Sequence, residues 1–375
     1  MAGIYIHIPF CKQACNYCNF YFTTSLTGKR KLIDALLHEI DLSKAYLNAE
    51  PIETLYWGGG TPSLLSVSEL TEIVRKLEHY YSFAQMKEFT LEANPDDLNP
   101  DKIDELVLLQ HLGLNRLSVG IQSFRDEDLR YMNRAHNAEE AIISVKRLQD
   151  AGFENLTIDL IYGAPTMNDE QWLTNLEAAF KLNVPHISSY ALTVEPKTIL
   201  YKKIKSGAQI PLDEDQSARQ FKMLMQQMLA NGYEQYEISN FAKPGKYAIH
   251  NSNYWSGKKY LGLGPSAHSY NGNSRRWNVA NNIHYISAIS NGEIKYEEEV
   301  LTESQKVNEW IMTSLRTQWG LPINKAIPAI AGPILERLKS VNPSFYIYKD
   351  DILTLTDQGK LFADGIASTL FIDPD

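Results

Sequence analysis

The hydrophobic positions along the first 240 residues alternate between two periods. Short apolar runs over 4–8, 54–57, 88–93, 115–121, 156–162 and 186–192 predict strands. Between them, apolar residues recur at helical spacing, as at Ile33, Leu36, Leu37 and Ile40 in a helix predicted over 31–47. Start signals mark the other helices. Ser66 with Glu69 forms a capping box for a helix to about residue 81. Asn99-Pro100-Asp101 combines an N-cap, a proline at the first helical position and an early acid. Asn137 caps a helix to Asp150, Asn168 opens the next, and 217–230 is helical with Gly232 as C-cap. Six strand–helix repeats imply parallel βαβ units. They are too few to close an eight-fold barrel, so the expected fold is α/β, an open, partial (β/α)6 TIM-like barrel.

Beyond residue 240 the pattern changes. Residues 240–282 are rich in Gly, Asn, Ser and aromatics and read as packed loop. A helix follows over 302–318, with Val307, Trp310, Ile311 and Leu315 on one face. A second helix over 328–339, a hairpin over 345–355 turning at Lys349-Asp350-Asp351, and a last helix over 356–370 complete a smaller α+β, winged-helix-like module. The expected division is a core domain 1–240, a connecting segment 241–300 and a C-terminal domain 301–375.

In parallel α/β folds, chemistry gathers at the C-terminal ends of the strands. Here those ends carry a cysteine loop after the first strand, Gly58-Gly59-Gly60 after the second, Glu92 at the third and Gln122 after the fourth. Asp159 lies within the fifth. With 45 acidic and 36 basic residues, the net charge of −9 argues against a nucleic-acid partner, winged-helix-like module included. No run of about 18 apolar residues predicts a spanning helix. Residues 1–8 have no basic region before their apolar run, so they read as a strand and not a signal peptide. The expected location is the cytoplasm.

Cys11, Cys15 and Cys18 are the chain's three cysteines, in a CxxxCxxC loop. An odd number excludes a complete disulfide framework. A structural zinc site needs four ligands, and His7 is the nearby candidate for a fourth. Free cysteines also serve as small buried hydrophobes. Three thiolates on one loop best suit three corners of a cubane 4Fe–4S cluster whose fourth iron is left to a small molecule; zinc and no metal are the alternatives. Exposed, reducible thiolates require a reducing compartment.

The segment Tyr5-Ile6-His7-Ile8-Pro9-Phe10-Cys11 through Cys18 resembles the opening of radical S-adenosylmethionine (SAM) proteins. More narrowly, it resembles the group of anaerobic coproporphyrinogen III dehydrogenases (HemN) and HemW-type heme chaperones. Trp57-Gly58-Gly59-Gly60-Thr61-Pro62, Glu92-Ala93-Asn94-Pro95, the run from Leu117 to Phe124, Asp159-Leu160-Ile161-Tyr162-Gly163 and Gly262-Leu263-Gly264 agree in order and spacing. The resemblance implies that Cys11, Cys15 and Cys18 ligate three irons, that SAM chelates the fourth, and that an electron from the cluster cleaves SAM to methionine and a 5′-deoxyadenosyl radical. It places Tyr5, Gly59, Gly60, Thr61, Glu92, Gln122, Arg134 and Asp159 against SAM and Tyr17 beside the adenine, with Ala191 and His268 as further contacts. Glu92 and Asp159 suit ribose hydroxyls or the SAM ammonium, and Arg134 suits the carboxylate. The glycines let backbone approach the methionine moiety, although a tight turn is the plainer use of such a run.

Three features separate two functions within that group. Coproporphyrinogen dehydrogenases carry a fourth cysteine two residues after the third, where this chain has Phe20. They also carry an extended segment before the first strand, which here starts at about residue 4. By contrast, His250-Asn251-Ser252-Asn253-Tyr254-Trp255 resembles the HNxxYW pattern of the heme chaperones. A neutral imidazole is a common axial ligand of heme iron, and Tyr254 and Trp255 suit packing against a porphyrin. The plainer reading is a satisfied histidine and a core aromatic. His136, His186 and His284 read as structural. The expectation is a heme chaperone that binds heme and hands it to apo-hemoproteins such as respiratory enzymes, carrying a 4Fe–4S cluster and SAM. The family alone implies a cluster-dependent homodimer and peripheral contact with membrane hemoproteins. The alternative is an oxygen-independent coproporphyrinogen III dehydrogenase.

Overall fold

The computed structural model describes residues 1–373. Its centre is a twelve-stranded mixed sheet. Six parallel strands lie side by side in chain order: β1 (Ala2–Ile8), β2 (Ile52–Gly59), β3 (Glu88–Ala93), β4 (Arg116–Gln122), β5 (Leu156–Tyr162) and β6 (His186–Ala191). Along these strands apolar residues such as Ile4, Ile6, Leu117 and Val119, buried in the core, alternate with polar ones such as Tyr5, His7, Arg116 and Ser118 on the other face. The register aligns the polar positions. Tyr5 lies opposite Tyr56, Glu92 opposite Ser118, and Asp159 opposite Ser188.

The capping signals hold. Val67–Tyr80, Ala138–Asp150 and Asp169–Lys181 each start with both halves of a capping box, and Asn99 caps Pro100–Leu108. The first helix spans Lys29–Ser43, several residues short of its apolar pattern. It packs Leu32, Ile33, Leu36 and Ile40 into the core that also holds Ile4, Ile6 and Ile8.

The stretch expected as loop over 240–282 is instead built into the sheet. After β7 (Glu234–Glu237), β8 (Asn240–Ala242) pairs antiparallel with β6. A helix over Ile249–Trp255 follows, and then β9 (Tyr260–Leu263), which pairs parallel with β1. The antiparallel strands β10 (His268–Tyr270), β11 (Ser274–Asn278) and β12 (Tyr296–Val300) extend that side. Buried Glu39 fastens this segment to the first helix. Its carboxylate accepts from Gly264 N at 2.7 Å, Asn278 Nδ2 at 2.6 Å and Tyr285 Oη at 2.6 Å. Gly264 has φ +98°, and a Cβ there would lie 2.5 Å from the His7 carbonyl, so the second glycine of the GLG motif lets the loop after β9 close against β1.

A separate apolar cluster, including Ile311, Leu315, Ile334, Leu353 and Ile366, joins the C-terminal elements. These are Glu303–Leu315, Pro328–Leu338, β13 (Leu321–Pro322), β14 (Tyr346–Lys349), β15 (Ile352–Leu355) and two short helices. Asp350 and Asp351 both have positive φ, as a tight hairpin turn requires. The predicted last helix is broken into Asp357–Lys360 and Ala363–Leu370.

Candidate functional site

A cavity of about 880 Å³ opens along the sheet, lined from β1 to β6, by the cysteine loop, by the Ile249–Trp255 helix, by β9 to β11 and by the Glu303–Leu315 helix. Its floor holds two carboxyls. Tyr56 Oη donates to Glu92 Oε1 at 2.6 Å, and Gly59 N donates to Glu92 Oε2 at 3.2 Å. Burial pushes Glu92 up to about 7, with Asp159 adding to the rise. Burial pushes Asp159 up to about 6, against hydrogen bonds from Ser188 and Ser118. Two carboxyls poised near neutrality are primed for a cationic or hydroxyl-bearing ligand, whose arrival favours their charged form. Gly58, between Tyr56 and Gly59, leaves no room for a Cβ, which would sit 2.9 Å from Glu92 Oε1.

The cysteine loop leaves β1 beside the ends of β2 to β4. Cys11, Cys15 and Cys18 are partly exposed. Burial raises Cys11 to about 12 and Cys18 to about 11, so ligation there releases protons. Thr61 hydrogen-bonds Cys11. Arg134, partly buried, donates from Nη1 to Cys15 Sγ at 3.3 Å and from Nη2 to Asn94 Oδ1 and the Gly120 carbonyl, both at 2.6 Å. Its Nε is buried and has no hydrogen-bond partner among the described residues. Asn94 in turn donates to Thr61 Oγ1 at 2.9 Å. Tyr17, also partly buried, lies against Arg134, Cys15 and Cys18. Gln122 ends β4 at φ +70°, an uncommon backbone for a non-glycine residue, and its side chain folds toward Gly120 and Arg134.

This donor set fits an iron–sulfur cluster better than one zinc ion. Among the described residues, no three His, Cys, Asp or Glu side chains converge on a single-ion position. A cluster asks each thiolate to hold a different iron, which suits thiols spread along a loop. His7, the candidate fourth zinc ligand, has both ring nitrogens engaged, with Tyr5 Oη at 3.1 Å and the Tyr21 carbonyl at 2.8 Å.

Gly59 and Gly60 serve the protein itself. A Cβ on Gly59, where φ is +103°, would lie 2.5 Å from the His7 ring, and one on Gly60 would lie 2.6 Å from the Phe10 carbonyl. The glycines let the end of β2 close against the start of the cysteine loop.

The HNxxYW segment is anchored from below. Buried Glu88 accepts from Ile249 N at 2.7 Å and His250 N at 3.0 Å, with the Arg116 guanidinium 4.0 Å away. His250 is buried and stacked on Tyr56, ring centroids 5.0 Å apart. Its Nδ1 shares a hydrogen bond with Thr54 Oγ1 at 2.8 Å and its Nε2 shares one with Tyr254 Oη at 2.9 Å. Burial pulls its pKa down to about 3, and Arg116 adds to the fall, so the ring is neutral. Trp255 lines the cavity under the Arg316 guanidinium, and its Nε1 is buried without a partner.

Of the residues read from sequence, Tyr5, Gly59, Glu92, Asp159, His250, Tyr254, Trp255 and His268 share this cavity. Thr61, Arg134, Tyr17 and the cysteines cluster behind the loop, and Gln122 reaches toward Arg134. Ala191 ends β6 opposite Tyr162, next to the cavity-lining Tyr190. His136 and His186 are structural, each bonded internally. Tyr56, Glu88, Asn94 and Arg116 were missed. Asn94 sits inside the EANP motif, which was a usable signal; the partners of the other three are set by strand pairing.

The Radical SAM superfamily model matches residues 5–179. The chain is 34% identical to the heme chaperone HemW of Bacillus subtilis, covering 98% of each chain. It is 35% identical to that of Lactococcus lactis, over 86% of this chain and 83% of the relative. Against the HemW of Escherichia coli identity is 37%, over 71% of this chain and 69% of the relative. Among solved structures, coproporphyrinogen III oxidase (HemN) from Escherichia coli superposes with a TM-score of 0.85 over 99% of this chain and 90% of that one, at 23% identity, which speaks for the fold. A 4Fe–4S cluster and SAM belong to that superfamily, and the loop and its surroundings fit them. With three thiols on the loop, exposed Phe20 in place of a fourth, and HemW relatives aligned from end to end, the chain belongs to the HemW family of radical SAM proteins.

Proposed function

We propose that this chain binds heme in the cavity beside its cluster and passes it to apo-hemoproteins. One observation carries the reading: the carboxylate floor expected to face SAM and the HNxxYW helix open into the same cavity, so a cofactor and a heme lie side by side. Cys11, Cys15 and Cys18 hold the cluster in this reading. Arg134, held by Asn94 and Gly120, sets the charge beside Cys15 and directs its free Nε toward an anionic group. Tyr5, Glu92 and Asp159 receive the ammonium or ribose, Gly59, Gly60 and Thr61 shape the seat, and Gln122 and Tyr17 close it. When bound, the cluster supplies an electron to SAM. Tyr254 and Trp255 flank the porphyrin, with the unpartnered Trp255 Nε1 available to a polar edge. His250 holds Tyr254 in place.

Residues 1–240 form the cluster-bearing unit, 241–300 the heme segment and 301–375 a unit with its own core. Respiratory enzymes are the recipients in this reading, and cluster loading governs pairing of two copies; the family alone suggests both. Among the described residues no helix is long and apolar enough to cross a membrane, so contact with membrane hemoproteins would be peripheral. Cluster-loaded protein titrated with hemin should develop a Soret band and lose it to an apo-acceptor. Absence of both, or catalytic formation of protoporphyrinogen from coproporphyrinogen on the same sample, overturns the reading.

A further inference from the structure

We propose that the iron of the bound heme is ligated by His268, which the resemblance set against SAM, and not by the histidine of the HNxxYW motif; the inference rests on the heme reading above. Three imidazoles line the cavity: His7, His250 and His268. Two are spent. His7 is held by Tyr5 and the Tyr21 carbonyl through its two nitrogens. His250 is held by Thr54 and Tyr254 through its own. An iron at His250 Nδ1 would have to displace the Thr54 hydroxyl, 2.8 Å from that nitrogen. An iron at Nε2 would have to expel the Tyr254 hydroxyl from a buried site.

His268 differs in each respect. Its side chain is exposed to the cavity, and among the described residues it makes no side-chain hydrogen bond. Its ring lies against Trp277, centroids 5.9 Å apart and planes 25° from parallel, which fixes its direction without consuming a nitrogen. Its backbone is set by Gly262, where a Cβ would sit 1.9 Å from the His268 carbonyl. Burial and Arg275 lower its pKa, favouring the neutral ring that a metal needs. Beside it, Tyr254, Tyr260 and Tyr270 form a line of aromatic rings, with successive centroids 4.7 and 6.4 Å apart, along the same cavity. That wall offers a face for a porphyrin whose iron is reached from β10.

The test uses the full chain, loaded with its cluster and titrated with hemin. His268→Ala should weaken hemin binding by at least about tenfold and shift the Soret band, and added imidazole should restore the wild-type band. His268→Cys should give a thiolate-type heme spectrum, a change that loss of packing alone would not produce. If both variants keep the wild-type spectrum and affinity, His268 is not the ligand, while the function stands. If wild-type protein binds no hemin, the function falls and this assignment with it.

Discussion

The cysteine loop and the HNxxYW helix are the two motifs most visible along the chain, and the fold treats them in opposite ways. The loop is unfinished. Its three thiols are partly exposed, two are pushed above their ordinary pKa, and Arg134 beside them keeps a buried nitrogen without a partner. The helix is complete. Glu88 holds its first amides, and His250 spends both nitrogens on Thr54 and Tyr254. A motif therefore marks two kinds of residue: those that await a ligand and those that hold a neighbour in place. Residue type does not tell them apart; unspent valence does.

The largest effect that would sharpen this contrast is at the loop. Cys15→Ser should abolish the cluster's absorption near about 400 nm while leaving the apo fold intact by circular dichroism. A collapse of the fold would mean that the loop is structural after all. Next, Glu88→Gln replaces one of the two oxygens that accept from Ile249 N and His250 N with a donor and leaves Arg116 without its carboxylate. A loss of about 3–5 kcal/mol in denaturant unfolding is expected, and a change below about 1 kcal/mol would break the claim that the helix is anchored from below.

The carboxyl floor gives a pH signature. Glu92 has a folded-state pKa of about 7 against 4.5 unperturbed, so between those values the folded apo chain holds more protons than the unfolded chain. Apo stability should therefore fall as pH rises from about 4.5 to 7, by on the order of 3 kcal/mol, and level off above. Glu92→Gln should reduce that slope and leave the part due to Asp159, raised to about 6; an unchanged slope would place the titration elsewhere. Smallest is Tyr254→Phe, which deletes one buried hydrogen bond and should cost about 1 kcal/mol. It frees His250 Nε2, so a heme spectrum altered toward a second histidine ligand would show that the bond had been restraining that nitrogen.

The six parallel strands could be read in advance because their signals are local. Apolar runs are bounded by Ser66/Glu69, Asn137/Glu140 and Asn168/Gln171, whose caps depend only on near neighbours. The strands β8 to β11 were hidden for the opposite reason. They are three to five residues long, one holds Gly262, and β8 and β9 are held by partners far away in sequence, β6 and β1. The site divides the same way. The cysteines and Glu92 sit at strand ends that the repeat pattern locates. That Thr54 and Glu88 would occupy His250 and its helix depends on contacts spanning 196 and 162 residues, and nothing near His250 announces them.

The parallel pairing of β9 with β1 joins Gly3 to Tyr260 and so sets a clock. A ribosome adding about 5–20 residues per second needs roughly 10–50 s between making the two. Through that interval β1, the strand that feeds the cysteine loop, has one edge without its final neighbour. The thiols emerge first, and the wall that will flank them arrives last.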